Sequence, residues 1–147
     1  MTHGIDTGFL VAAEVAEHPL HSKARTKLAR LVANGDRFAL APQVLAEFVH
    51  VVTDPRRFTL PVTVDHALRL AQQWRTAREV DQTFPNDAAV QLFLDWMQQH
   101  RLGRKRLLDT LLAATYRAAG ANSLLTLNAS DFTILGGFVC PELETAR

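Results

Sequence analysis

The sequence predicts an α/β fold in which helices cover both faces of a parallel β-sheet. Three observations point there. Short apolar runs of strand length alternate with longer segments of helical periodicity. The turn-forming clusters between them are short, and no internal repeat or low-complexity stretch interrupts the chain, so nothing marks a domain boundary. The expected unit is one domain over residues 1–147. With 48% hydrophobic and 21% charged residues the composition is that of an ordinary globular domain. A chain of this length can bury about two thirds of its surface without disulfide staples.

Taken in order, residues 2–6 form the first candidate strand, and a helix containing Phe9 and Leu10 follows it. Residues 37–40 form the second. Pro42 suits the first turn of a helix that continues through Leu45 and Phe48 until Asp54-Pro55 stops it. Val64, Ala67, Leu68, Ala71 and Trp74 lie on one stripe of the next helix, and residues 80–84 make a third strand. Leu107, Leu108, Leu111, Leu112, Thr115 and Ala118 form a second stripe, closed by Gly120 where the chain turns into a strand at 122–127. A last short strand is expected at 137–140. In open sheets of this kind, functional residues gather beyond the carboxyl ends of the strands.

Sixteen Lys and Arg against fifteen Asp and Glu leave a formal charge of +1, so any nucleic-acid partner must meet a local basic patch. Cys140 is the only cysteine, which excludes an intramolecular disulfide and a cysteine-rich zinc site and favours a reducing compartment. The apolar run from Phe9 to Ala13 is too short for a signal peptide and lacks a basic flank. Nothing approaches the roughly eighteen apolar residues of a membrane span. The expectation is a cytoplasmic protein with no membrane partner. The six histidines contain no HExxH pair; His18 and His21 read as structural or surface residues, Trp74 and Trp96 as core, and no Gly-rich phosphate loop is present.

Four acids stand out by position. Asp6 ends the first strand, where it can cap the next helix or serve a site. The Asp-Thr-Gly triplet it begins would suit an aspartic protease only in an all-β context, which this helix-rich chain excludes. Glu47 lies in a helix that is otherwise almost wholly apolar; a carboxylate buried there needs an Arg partner or a metal. Asp109 falls in the first turn of the leucine-rich helix, and Asp131 follows the fourth strand, where Asn128 can start a short helix. A parallel sheet brings such positions to one edge. Three or four carboxylates meeting there repel one another unless a divalent cation neutralises them, and hard oxygen donors select Mg²⁺ or Mn²⁺.

The stretches Ile5-Asp6-Thr7, Leu45-Ala46-Glu47-Phe48, Leu108-Asp109-Thr110-Leu111-Leu112-Ala113-Ala114 and Thr126-Leu127-Asn128-Ala129-Ser130-Asp131-Phe132 resemble the four acidic signatures of PIN-domain nucleases, in order and spacing. The segment from Val49 to Phe58 and the ending Leu135-Gly136-Gly137-Phe138 are similar to the branch that contains VapC toxins. The resemblance covers almost the whole chain. It implies a three-layer α/β/α sandwich and Mg²⁺- or Mn²⁺-dependent endoribonuclease activity, in which a metal-activated water attacks the RNA phosphodiester in line. It further implies a VapB-type antitoxin as partner and homodimerisation. Residue by residue, it makes Asp6 and Asp109 direct metal ligands, with Glu47 and Asp131 completing the catalytic pocket. Thr7, Thr126 and Asn128 become candidate contacts to substrate phosphate. Gly8 departs from the pattern, because many relatives carry Asn or Ser there.

The densest basic run, His100-Arg101-Leu102-Gly103-Arg104-Lys105-Arg106, immediately precedes Asp109. It reads either as a solvated face or as an RNA-phosphate contact through Arg104, Lys105 and Arg106, because cations at a helix N-terminus oppose the helix dipole unless paired. Arg56 and Arg57 are a second basic pair. The nearest rival function is a PIN-domain nuclease of RNA processing or turnover, which would use the same pocket and differ in lacking toxicity and an antitoxin. A phosphoacceptor signalling domain would need adjacent acids after the first strand and a Lys after a late strand, and has neither. A non-catalytic RNA- or protein-binding module would not need all four acids.

Overall fold

The computed structural model describes residues 1–143, so the last four residues of the expected domain lie outside the described part. Four parallel strands, β1 (Thr2–Ile5), β2 (Arg37–Leu40), β3 (Val80–Gln82) and β4 (Ser123–Leu125), form a sheet of order β3-β2-β1-β4. Seven α-helices are found among the described residues: α1 (Thr7–Glu14), α2 (His21–Ala33), α3 (Pro42–Val52), α4 (Val64–Thr76), α5 (Asp87–Gln99), α6 (Leu107–Ala118) and α7 (Ala129–Thr133). A 3-10 turn at Arg104–Arg106 leads into α6.

The chain steps outward from β1 to β2 to β3, then crosses back to place β4 on the other side of β1. Right-handed crossovers therefore put α1–α4 on one face and α5–α6 on the other. The packing agrees: α1 contacts α2 and α3, α3 contacts α4, and α5 packs on α6. The reversal of direction between β1 and β4 is a topological switch point, where the loops leaving two neighbouring strands diverge and open a crevice.

Local chemistry explains the elements. Pro42 starts α3 where no amide bond is lost, and the side chains of Asp6, Thr63 and Asn86 accept backbone N–H bonds at the starts of α1, α4 and α5. Ile5, Phe9, Leu10, Phe38, Leu40, Phe48, Leu112, Leu124 and Phe132 are buried between the layers. Trp74 and Trp96 belong to the same core, as expected. Gly4 in β1 is required by close approach: a Cβ there would fall 2.3 Å from the Tyr116 ring.

Three sequence expectations change at their edges. The third strand stops at Gln82, and Phe84 is exposed. The fourth is limited to Ser123–Leu125. The expected strand at 137–140 amounts to one bridge between Val139 and Ser123, held by Leu124 N–H to Val139 O at 2.9 Å and Val139 N–H to Asn122 O at 2.8 Å. Gly136 and Gly137, both at positive φ, turn the chain too tightly for a longer ladder. Among the described residues no helix is long and apolar enough to cross a membrane.

Candidate metal centre

Asp6 follows β1 directly and occupies the cap position of α1. Its Oδ1 accepts the Thr7 N–H at 2.9 Å and its Oδ2 accepts the Thr126 hydroxyl at 2.8 Å. Thr126 is reachable because β4 lies beside β1, so that the residues one step beyond each strand are neighbours. The Thr126 oxygen also accepts the Asn128 N–H at 3.0 Å, which fixes the hydroxyl as a donor toward Asp6. Capping and site membership are thus compatible roles for one carboxylate.

Glu47 departs from its sequence-based rationale. It lies on the exposed side of α3, while Val44, Phe48 and Val52 take the buried side. Neither burial nor an Arg explains it; its Oε2 accepts the Thr7 hydroxyl at 2.7 Å. Asp109 stands half-buried in the first turn of α6 and Asp131 half-buried in the first turn of α7. Asp131 forms an ion pair with Arg106, whose guanidinium also donates to the Asp131 backbone oxygen at 3.4 Å. The position of Asn128 before α7 is as expected, yet its side chain makes no cap bond; its backbone oxygen instead accepts the Asp131 N–H at 3.0 Å.

The acids feel one another. Burial raises the Asp6 carboxyl above the usual range; its bonds to Thr126 and Thr7 pull it back, and the charges of Glu47 and Asp131 push it up again. Asp109 is pushed up to about 6, first by burial and then by Asp6, Asp131 and Glu47, with Arg106 acting the other way. Four carboxylates from β1, α3, α6 and α7 therefore share one electrostatic environment. Yet among the described residues no three His, Cys, Asp or Glu side chains converge as a ready-made metal cage. The hydrogen bonds account for this: Glu47 is turned to Thr7, Asp131 to Arg106, and both Asp6 oxygens to threonine or backbone donors. As a donor set, neighbouring carboxylate oxygens, with Asp6 and Asp109 raised in proton affinity, fit a hard divalent cation, which relieves the same repulsion that a proton would.

The candidate RNA contacts divide. Arg104, Lys105 and Asn128 are exposed. Arg106 is engaged by Asp131, while Thr7 and Thr126 spend their hydroxyl protons on Glu47 and Asp6. Arg56 and Arg57 both pair with Asp54. At Gly8, an added Cβ would meet Leu127 at 3.6 Å, an ordinary contact, so the departure from the family pattern does not reflect lack of room for a Cβ.

Sequence reasoning missed Tyr116. It is fully buried on α6, two turns after Asp109; its hydroxyl donates to Ile5 O at 2.6 Å and accepts the Ala41 N–H at 3.2 Å. The one aromatic side chain in a helix otherwise rich in Leu, Ala and Thr was the available signal, since a buried hydroxyl needs partners. His3 was missed too. Buried in β1, it sits 2.7 Å from Ser123 Oγ and 2.9 Å from Asp36 Oδ2, at the end of the sheet opposite the acids.

Comparison with known proteins adds an independent line. The family model described as PIN domain matches residues 5–133. Ribonuclease VapC24 of Mycobacterium tuberculosis is 28% identical over 132 residues, covering 90% of each chain. Among solved structures, M. tuberculosis VapC20, described as a sarcin-ricin loop cleaving toxin, superposes with a TM-score of 0.69 at 20% identity, over 95% of this chain and 97% of that one. VapBC2 of Rickettsia felis, bound to a DNA fragment from its promoter, gives 0.68 at 18% identity over 96% and 98%.

Proposed function

The chain belongs to the PIN-domain family, and from that membership we propose that it is a metal-dependent endoribonuclease, the toxin of a VapBC-type toxin–antitoxin pair. The observation that carries this reading is the electrostatic coupling of Asp6, Glu47, Asp109 and Asp131 at one edge of the sheet, the four positions that by resemblance would be the family's acids. VapC24 and VapC20, named as a ribonuclease and as a sarcin-ricin loop cleaving toxin, support it.

Asp6 and Asp109 would hold Mg²⁺ or Mn²⁺ most directly, with Glu47 and Asp131 completing the pocket. When bound, the ion supplies positive charge against the scissile phosphate and lowers the pKa of a water enough to make it a nucleophile near neutral pH. The protein's own groups prepare that centre. Thr126 and the Thr7 amide hold Asp6 in one rotamer, and the Thr7 hydroxyl does the same for Glu47. Arg106 offsets part of the negative charge and ties Asp131 to the start of α6, next to Asp109. Arg104 and Lys105, exposed beside that helix start, would meet the RNA backbone, together with the exposed Asn128 before α7. The whole chain, 1–147, would act as one domain in the cytoplasm, as a homodimer, with a VapB-type antitoxin as its inhibitor.

Incubating the purified protein with a structured RNA tests the chemistry. Cleavage should need Mg²⁺ or Mn²⁺ and stop in EDTA; equal cleavage in EDTA would overturn the metal-dependent reading. The toxin assignment has its own test. Expression should arrest growth, and co-expression of a small neighbouring gene's product should relieve the arrest. Unimpaired growth would favour a nuclease of RNA processing instead.

A further inference from the structure

Tyr116 is the only tyrosine in the chain and has no place in the acidic signatures. Its ring lies so close under β1 that only glycine fits at position 4, and its hydroxyl is threaded between two strands. Ala41 N–H donates to that oxygen at 3.2 Å, and the hydroxyl donates to Ile5 O at 2.6 Å. β1 and β2 are paired directly through Gly4 and Ala39. Just beyond that register, the tyrosine oxygen relays the link between the strands, where a backbone N–H would otherwise meet a carbonyl. Each strand end it touches leads straight to an acid. Ile5 precedes Asp6, and Ala41 is the cap residue of α3, which carries Glu47 further along it. Tyr116 itself stands on α6, whose first turn carries Asp109.

We propose that Tyr116 is a positioning residue for the acidic centre: its buried hydroxyl joins the carboxyl ends of β1 and β2 and sets the separation of Asp6, Glu47 and Asp109. A single rigid group thus ties together the elements that supply three of the four acids. Burial holds the phenol well above its ordinary pKa, so it stays a proton donor throughout the range in which the carboxylates are ionised. This inference rests on the metal-centre reading above and goes further, by naming what sets the spacing of the donors.

The test is Tyr116→Phe, with Mn²⁺ affinity measured by calorimetry and paramagnetic resonance in the absence of RNA. The expected result is Mn²⁺ binding weakened about tenfold or more and a comparable loss of kcat, with RNA KM held within about twofold, because misplacing reacting groups costs turnover rather than remote binding. Leu31→Ala, which opens a cavity in α2 away from the acids, should lower thermal stability without changing Mn²⁺ affinity. A merely structural role for the phenol would make the two variants behave alike. Should Tyr116→Phe fail to fold, the parent grown with 3-fluorotyrosine carries one ¹⁹F label, whose resonance should move during a Mg²⁺ titration. Parent-like Mn²⁺ affinity in Tyr116→Phe, or a ¹⁹F signal indifferent to Mg²⁺, would overturn the positioning role alone; a parent that binds no Mn²⁺ would overturn the metal centre with it.

Discussion

At the scale of single residues, Asp109 shows how the site trades stability for chemistry. Its carboxyl is raised to about 6 in the fold, against an ordinary value of about 3.9. A folded-state pKa above the unfolded one favours the protonated form, so its stabilising contribution is fully present below about pH 4 and is lost as pH rises through about 6. Asp109→Asn should therefore melt at a higher temperature than the parent at pH 7.5 in EDTA, and the two should converge by pH 4. A variant less stable than the parent at pH 7.5 would contradict the burial and the carboxylate repulsion that together raise Asp109. Residue-level legibility was uneven for a physical reason. Asp6, Asp109 and Asp131 announce themselves because each sits at a strand or helix boundary that local pattern reveals. Glu47 was found by the wrong reasoning, since the apolar residues around it occupy the opposite side of its helix. The partners of Tyr116 are backbone groups 111 and 75 residues away, which no local pattern encodes.

Among elements, helix ends repeat one device. α2 and α6 both finish in a paired-bond turn with glycine in the left-handed conformation: Asp36 N–H to Leu31 O at 3.1 Å around Gly35, and Ala121 N–H to Tyr116 O at 3.0 Å around Gly120. α5 ends the same way, with Leu102 N–H to Met97 O at 3.1 Å, but Arg101 holds the left-handed position at φ 49°. Glycine suits that conformation and a side chain does not. Arg101→Gly should raise unfolding free energy by about 0.5–1 kcal/mol in urea titrations, because relief of the left-handed backbone outweighs the added freedom of the unfolded chain; a loss of stability would mean that the Arg101 side chain compensates for its backbone. The contrast also explains what was readable: Gly120 marked its helix end in the sequence, whereas an arginine gives no such sign. The strand expected at 137–140 failed similarly, because an apolar run specifies a tendency to extend while the two preceding glycines decide how far the ladder continues.

For the whole molecule, a formal charge of +1 conceals a separation. Gathering four of the fifteen acids at one sheet edge leaves eleven elsewhere against sixteen bases. Several of those bases are already committed: Arg37 to Asp81, Arg56 and Arg57 to Asp54, and Arg106 to the site itself. Arg104 and Lys105 remain exposed beside the start of α6, so under the proposed function a polyanion would meet positive charge before the acidic centre that a divalent cation would neutralise. The topology supplies the placement for this: Asp6 follows β1 at the switch point beside β4, and the other acids lie on α3, α6 and α7.

The most direct measurement is the RNA cleavage rate of Asp6→Asn in saturating Mg²⁺, compared with the parent under the same conditions, with circular dichroism confirming that both are folded. Asparagine retains one oxygen to accept the Thr7 N–H, turns its NH2 toward the Thr126 oxygen and removes the charge. The expected result is an intact fold and cleavage reduced by at least about a hundredfold. Undiminished cleavage by the folded variant would contradict it.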